Sequence, residues 1–425
     1  MSLSEMTLSQ KSKGLTARRG QGDRVPTVRC KICGGKTYPG LDLGAQPVGD
    51  LILTRADLRK PEIFYPMQLF HCSDCGLTQL GYVVNPAVVY KNFPFVSGTT
   101  QTATNHLQSI PRQLVELDGL GSESFAVDIG SNDGTLLKAF QPWGVKVMGV
   151  DPSAIPVTIA NQAGIPTLHA FFNEETANFL LKEHGLADAI SAAGVFAHIA
   201  DLDGVMRGIQ ILLKKTGTFV SENQYWLDMV LTGHYDNMFH QHLRYYSVRP
   251  LAHLFAQYGL EIFDVRRSEI HGGSFRVFAG FVGAHPIHPR VAEVMAAEEN
   301  ARLYEPATTK AWTSMIEQRR TELQNRVWSL VNEGKKVIGI GAPAKASTVC
   351  NYCRLGPEMI DYITEINPLR VGKYLPGMHI PIVDEERMFS DPRPADAGVL
   401  FAWNYYDETV PKLRARGWNG EVICP

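Results

Sequence analysis

The stretch MFHQHLRYYS, residues 238–247, sets His240 and His242 on either side of Gln241, with Phe239 before them and Tyr245 and Tyr246 behind. Imidazole is the side chain whose ordinary titration spans neutral pH, so the segment suits proton transfer, whereas an amide donates and accepts hydrogen bonds but is never a base. Read as a helix, residues two apart face different ways, so the two histidines do not form a joint metal site. No HExxH spacing accompanies them.

A second constellation is sulfur. Cys30 and Cys33 form CKIC, Cys72 and Cys75 form CSDCG, and 38 residues separate the pairs. Two such turns complete a tetrahedral four-thiolate shell around zinc, which leaves no open position for chemistry and supplies folding free energy to a module with little core. A redox CxxC needs only one pair in a thioredoxin-like setting. A third pair, Cys350 and Cys353, has no partner and reads as buried thiols.

Two glycine loops add ligand chemistry. In VDIGSNDGTLL, Asp128 ends a strand, and Gly130 and Gly134 permit tight backbone before a helix. A dinucleotide site calls for GxGxxG, whereas Ser131, Asn132 and Asp133 would crowd or repel a pyrophosphate. A cationic ligand with an amino acid end fits better. Asp151 closes the next strand 21 positions after Gly130, just before Pro152, where a carboxylate accepts hydrogen bonds from ribose hydroxyls. Together these point to S-adenosylmethionine (SAM), against a nucleotide-binding domain of other chemistry. In GIGAPAKAS, Gly339 and Gly341 let backbone amides approach a phosphate, and Lys345 supplies charge suited to a diphosphate; Lys373 and Tyr374 of GKYLPG add a cation and a stacking surface. A nucleotide fold kept only for packing is the competing reading. IHGGSFR offers Gly272 and Gly273 for close approach beside His271, Ser274 and Arg276, or else an ordinary turn into a strand.

These residues need elements to hold them. At 425 residues the chain calls for two or three domains, and its 44% apolar and 20% charged content is that of a globular protein. The net charge of −2 gives no reason to expect nucleic acid or an anionic membrane as a partner. No stretch approaches the ~20 apolar residues of a membrane span, and the cysteine usage suits a reducing cytoplasm. Residues 1–27 are polar and read as a disordered leader, followed by a zinc-binding domain over 28–100. Strands at 125–130, 145–151, 187–194 and 217–222 alternate with helices, which predicts a parallel sheet covered on both faces within a domain over 101–284. A charged helical region at about 291–333 leads to a second unit, 285–425, with strands in KKVIGIG, IDYITEI, GVLFAW and GEVIC. The expected fold class is α/β: a small zinc-binding N-terminal module, a central Rossmann-like SAM-binding domain and a second, smaller Rossmann-like C-terminal domain.

CKIC with CSDCG, VDIGSNDGTLL, GVFAHIADL, YDNMFHQHLRYYS, IHGGSFR, GIGAPAKAS and DYITEINPLRVGKYLPGMHIPI occur in this order. The ordered set resembles the SAM-dependent C-methyltransferases of nucleotide-linked deoxy-keto sugars, over nearly all of the chain after residue 28. The resemblance implies SAM and structural zinc as cofactors, a nucleotide-sugar acceptor, and a monomer or homodimer. It assigns Asp128, Gly130, Ser131, Asn132, Gly134, Asp151, Pro152 and Phe196 to the cofactor, and His198 and His242 to catalysis. Phe95, Phe239, His271 to Ser274, Arg276, Gly341, Lys345, Lys373 and Tyr374 fall to the substrate. Where the family carries Tyr and Glu ahead of the final His, this chain has Phe239 and Gln241. Carbon methylation beside a ketone needs a base and a donor to the oxyanion. Either His242 is the base, with Gln241 as amide donor and His198 or a nearby Tyr polarising the oxygen, or the acceptor is a hydroxyl or amine. A catalytically silent sugar-binding protein is a third possibility.

Overall fold

The computed structural model describes residues 28–89, 97–99 and 101–425. The leader and Phe95 lie outside the described residues.

The N-terminal module is an antiparallel meander of β1 (Thr37–Gln46), β2 (Tyr65–Cys72) and β3 (Thr78–Leu80). The central sheet follows with β4 (Phe125–Ile129), β5 (Lys146–Asp151), β6 (Thr167–His169), β7 (Ala187–Ala193) and β8 (Leu213–Gln224), all parallel to their neighbours in this group. FAVDI is buried at every position because helices cover both faces, which removes the alternation of a half-exposed strand.

Residues 238–247 do not form the expected helix. A single 3-10 turn, Tyr235–Asn237, leads into β9 (Arg244–Tyr245), which pairs antiparallel with β3 through Thr78 to Tyr245 and Gln79 to Arg244. The open edge of β3 overrides the polar spacing that suggested a helix, as sheet pairing commonly overrides local preference. The module therefore borrows its fourth strand from the middle of the chain.

Next come β10 (Leu260–Ser268) and β11 (Ser274–Phe281), which complete a seven-stranded sheet of order β10-β11-β8-β7-β4-β5-β6. This edge departs from the parallel sheet expected, since β11 runs antiparallel to both β8 and β10. The link from β10 is too short for a crossover, so the two strands must form a hairpin. Helices Arg290–Asn300 and Pro306–Asn332 then lead to a five-stranded parallel sheet. Its strands are β12 (Val337–Ile340), β13 (Ile363–Glu365), β14 (Ile382–Asp384), β15 (Ala397–Leu400) and β16 (Glu421–Ile423), in the order β14-β13-β12-β15-β16.

The first of those helices is tied to the central unit. Glu298 accepts hydrogen bonds from Tyr225 Oη at 2.8 Å and from the Val248 amide at 2.7 Å, where it caps helix Val248–Ala256. Among the described residues no helix is long and apolar enough to cross a membrane.

Candidate active site

His242 is held from two sides. The Leu243 amide donates to Ala197 O at 3.0 Å, on the turn after β7, and Leu243 O accepts from the Leu80 amide at 3.0 Å, on β3. Arg244 reaches the same turn through Ile199 O. The ring itself is fixed by Nδ1, 2.9 Å from Asn237 O. A carbonyl only accepts, so Nδ1 carries the proton and Nε2 keeps its lone pair.

The anchor runs back to the cysteines. Gln79, fully buried on β3, receives the Lys31 amide on Oε1 at 2.8 Å and donates Nε2 to Arg29 O at 2.9 Å. One side chain thus clasps both neighbours of Cys30 and sits on the strand that pairs with Arg244. The four cysteine sulfurs lie within 4.8 Å of one another, with Cys30 to Cys75 at 3.5 Å and Cys33 to Cys72 at 3.4 Å. Backbone amides of Ile32, Gly35 and Asp74 point at three of the sulfurs. Zinc–sulfur bonds of ~2.3 Å around one centre require this spacing, and amide donors suit thiolates, so the residues fit a structural zinc ion.

The surroundings of His242 draw on all three units. His198 lies edge-on with centroids 4.8 Å apart, and Phe239 packs against the His242 ring at 3.9 Å. Helix Ala344–Tyr352 runs along the 235–238 segment, with Lys345 facing Asp236, Thr348 Oγ1 donating to Met238 O at 2.7 Å, and the Cys353 thiol just past its end beside Tyr235 Oη. Burial pushes the His242 pKa well below the usual imidazole value, and the charges of His198, His271 and Lys345 push the same way. Burial lowers His198 to about 4. Desolvation of the ring, and then Lys345, lowers His271 to about 4; the residue sits at a backbone φ of +56°. These rings are neutral at pH 7.

Gln241 is 1% exposed, and its Nε2 donates to Asp50 Oδ2 at 3.1 Å. The other Asp50 oxygen accepts from Arg370 at 2.8 Å, and Arg370 reaches Ala342 O at 2.6 Å. The amide expected to serve a substrate therefore joins the N-terminal module to the C-terminal unit. Among the described residues its Oε1 is buried without a hydrogen-bond partner.

The Gly130 to Gly134 loop sits at the carboxyl ends of β4, β5 and β7, where open α/β sheets bind ligands. Gly130 and Gly134 have φ of +69° and +78°, and a Cβ on Gly130 would collide with Val195. Asp151 accepts from the Asn132 amide at 3.0 Å and the Ser153 amide at 2.7 Å. A carboxylate offers about four acceptor positions, so these amides do not exhaust Asp151. Asn132 Oδ1 and Asp133 Oδ2 take the amides of Ser97 and Gly98, which ties the 97–99 turn to the loop. Asp128 is buried and accepts from Ser191 Oγ at 2.6 Å; burial raises its carboxyl to about 7. Pro152 contributes its carbonyl to His169 at 3.0 Å.

Several expected contacts are placed elsewhere. Phe196 is fully buried against Phe219, Tyr246 and Phe255, so its ring packs in the core. Ser131 Oγ is buried against Gly149 beneath the loop, which leaves only its backbone to face a ligand. Ser274 Oγ closes its own turn onto Ile270 O at 3.1 Å, and a Cβ on Gly272 or Gly273 would collide with Trp403 or Asp228. Arg276 is 4% exposed and pairs with Glu222 at 2.7 Å. The Gly341 amide donates to Thr364 O and the Ala342 amide to Glu365 Oε2, both at 2.9 Å, so protein acceptors fill the expected diphosphate cradle. Lys345 faces Asp236 and Asn404, while Tyr374 exchanges backbone hydrogen bonds with Leu53 beside a half-buried Lys373.

Sequence reasoning missed Asp50, Asp236, Arg370 and Trp403, which meet only through long-range packing. It also missed a buried group in which Glu222 takes His106 at 2.6 Å and Arg276 on its other side. Burial would raise Glu222, but His106 and Arg276 outweigh it and hold the carboxyl below its usual value.

Three family models match the chain in succession: a zinc binding domain over residues 30–90, a methyltransferase domain over 108–265, and a C-methyltransferase C-terminal domain over 269–425. The C-methyltransferase NovU of Streptomyces niveus is 32% identical over 397 residues, 93% of this chain and 94% of that protein. Among solved structures, a SAM-dependent methyltransferase from Anabaena variabilis aligns with 46% of this chain and 90% of its own at 16% identity and a TM-score of 0.36. Magnesium protoporphyrin IX methyltransferase from Synechocystis, with bound S-adenosylhomocysteine, aligns with 42% and 83% at 16% identity and a TM-score of 0.33.

Proposed function

Because the chain belongs to the family of SAM-dependent C-methyltransferases, we propose that it methylates a carbon next to the ketone of a nucleotide-linked deoxy-keto sugar, with His242 as the base. The observation that carries this reading is the Nδ1 tether of His242 to Asn237 O, which presents a neutral Nε2 beside His198. An imidazole kept neutral at pH 7 has its lone pair free, but the burial that depresses its pKa also weakens it as a base, so the charge that forms on it must be stabilised as the proton is taken. Bound SAM supplies an electrophilic methyl group. The loop of Gly130 to Gly134 and the spare acceptor positions of Asp151 would hold it.

His242 Nε2 removes the proton from the acceptor carbon while His198 faces the same space. A positioned base of this kind contributes ~10² to 10⁴ in rate. Phe239 packs on the ring and keeps water from one face, but it offers no donor to the developing oxygen.

Phe239 and Gln241 also favour a second reading, in which the acceptor is a hydroxyl or amine that needs only one base. A panel of nucleoside-diphosphate keto, hydroxy and amino sugars, followed by mass spectrometry, separates the two. A gain of one methylene on a carbon of a keto sugar supports the first reading, and gain only on hydroxy or amino sugars replaces it with the second.

A further inference from the structure

We propose that Lys345 is the cation that stabilises the acceptor oxyanion in this site, the task a phenol at position 239 would otherwise perform. The inference rests on carbon methylation as the reaction. Deprotonating a carbon beside a ketone moves the C–H electron pair onto the carbonyl oxygen, and that charge must meet a donor until the new C–C bond forms and the C–S bond breaks. The ketone then returns, and the proton leaves from His242 to solvent. Lys345 keeps its own proton throughout.

The geometry supplies the donor. Lys345 is 9% exposed and stands in the first turn of helix Ala344–Tyr352, which lies along residues 235–238. Its Nζ donates to Asn404 Oδ1 at 3.0 Å, stands 3.7 Å from Asp236 Oδ2, and lies 4.2 Å from the centre of the Trp403 ring. An ammonium has three donors, and these two acceptors do not exhaust them. Asp236 is itself fixed, since Trp403 Nε1 donates to it at 2.5 Å. The neighbour of Asp236 is Asn237, whose carbonyl orients His242, so the base and the cation hang on adjacent residues of one turn. Burial chiefly lowers the pKa of both His242 and His271, and the Lys345 charge pushes both in the same direction. Burial pulls the ammonium down while Asp236 holds it up. The diphosphate role suggested by the glycine loop is disfavoured, because Glu365 occupies the amide of Ala342 beside that loop.

The test uses the full-length zinc-loaded protein with S-adenosylhomocysteine and a nucleoside-diphosphate 4-keto-6-deoxyhexose in deuterated water. Proton exchange at the acceptor carbon reports enolisation alone. Lys345→Met should lower exchange and kcat by ~10² or more, with KM for the sugar changed by less than about threefold. Lys345→Arg, which keeps the charge but moves the donors, should retain an intermediate rate. The double variant Lys345→Met/Asp236→Asn removes the orphaned carboxylate, so its loss of exchange cannot be ascribed to an unpaired buried charge. Wild-type exchange rates in Lys345→Met, or a raised KM at unchanged kcat, would overturn the assignment. A wild-type protein that exchanges no proton and methylates only hydroxyl or amine acceptors would instead overturn the carbon-methylation reading beneath it.

Discussion

The rings of His198 and His242 meet edge to face with centroids 4.8 Å apart, one delivered by the turn after β7 and the other by the segment leading into β9. Two imidazoles this close cannot both carry charge without cost, and burial already favours their neutral forms.

The pH profile should follow. Both rings have folded pKa values below the ~6.5 of free imidazole, His198 at about 4 and His242 well depressed. Below pH ~6.5 the unfolded chain binds protons that the folded chain refuses, so these residues cost stability as pH falls. The base form of His242 nevertheless persists. We expect kcat/KM for the acceptor to stay level from pH 8 through 6.5 and to fall only below that; an acid limb centred at 6.5 or higher would contradict a buried neutral base.

Zinc should act at a distance. Gln79 clasps the backbone on both sides of Cys30 and lies on the strand that pairs with Arg244. Chelating the metal, or making Gln79→Ala, should cost ~10² in kcat by displacing His242, while SAM affinity shifts by less than about threefold. Calorimetric titration of SAM alongside turnover separates the effects, and equal losses in both would mean the whole chain has unfolded.

Gln241→Glu appears from sequence to restore a family feature, but Asp50 stands 3.1 Å from the amide nitrogen. The variant faces one carboxylate with another and removes the donor that Asp50 uses. Thermal unfolding should show a loss of about 1–3 kcal/mol. Unchanged stability would mean that the link through Asp50 to Arg370 bears little load.

Asp151→Ala should weaken SAM by roughly 10- to 100-fold, because it removes the ribose acceptor and the partner of the Asn132 amide together. The acceptor KM, measured at saturating SAM, should change little. An unaltered SAM affinity would exclude Asp151 from the cofactor site.

Much of this was legible in the sequence, for identifiable reasons. The CxxC pairs, the FAVDI and VKVMGVD strands and the acid that ends β5 are local patterns whose physics does not depend on distant partners. The fate of residues 238–247 was not legible, because β9 exists only through the open edge of β3, more than 160 residues earlier. Lys345 was picked out by its glycine loop, yet its surroundings come from Asp236 and Trp403, which no spacing connects to it. Phe196 lies beside the site in sequence, yet its ring packs in the core, which no local pattern announces.

The central claim is that His242 takes the proton. Turnover of His242→Ala with SAM and a keto-sugar acceptor, read beside the SAM affinity of the same variant, tests it most directly. The account predicts loss of at least ~10² in kcat with SAM binding nearly unchanged; methyl transfer at the wild-type rate would contradict it.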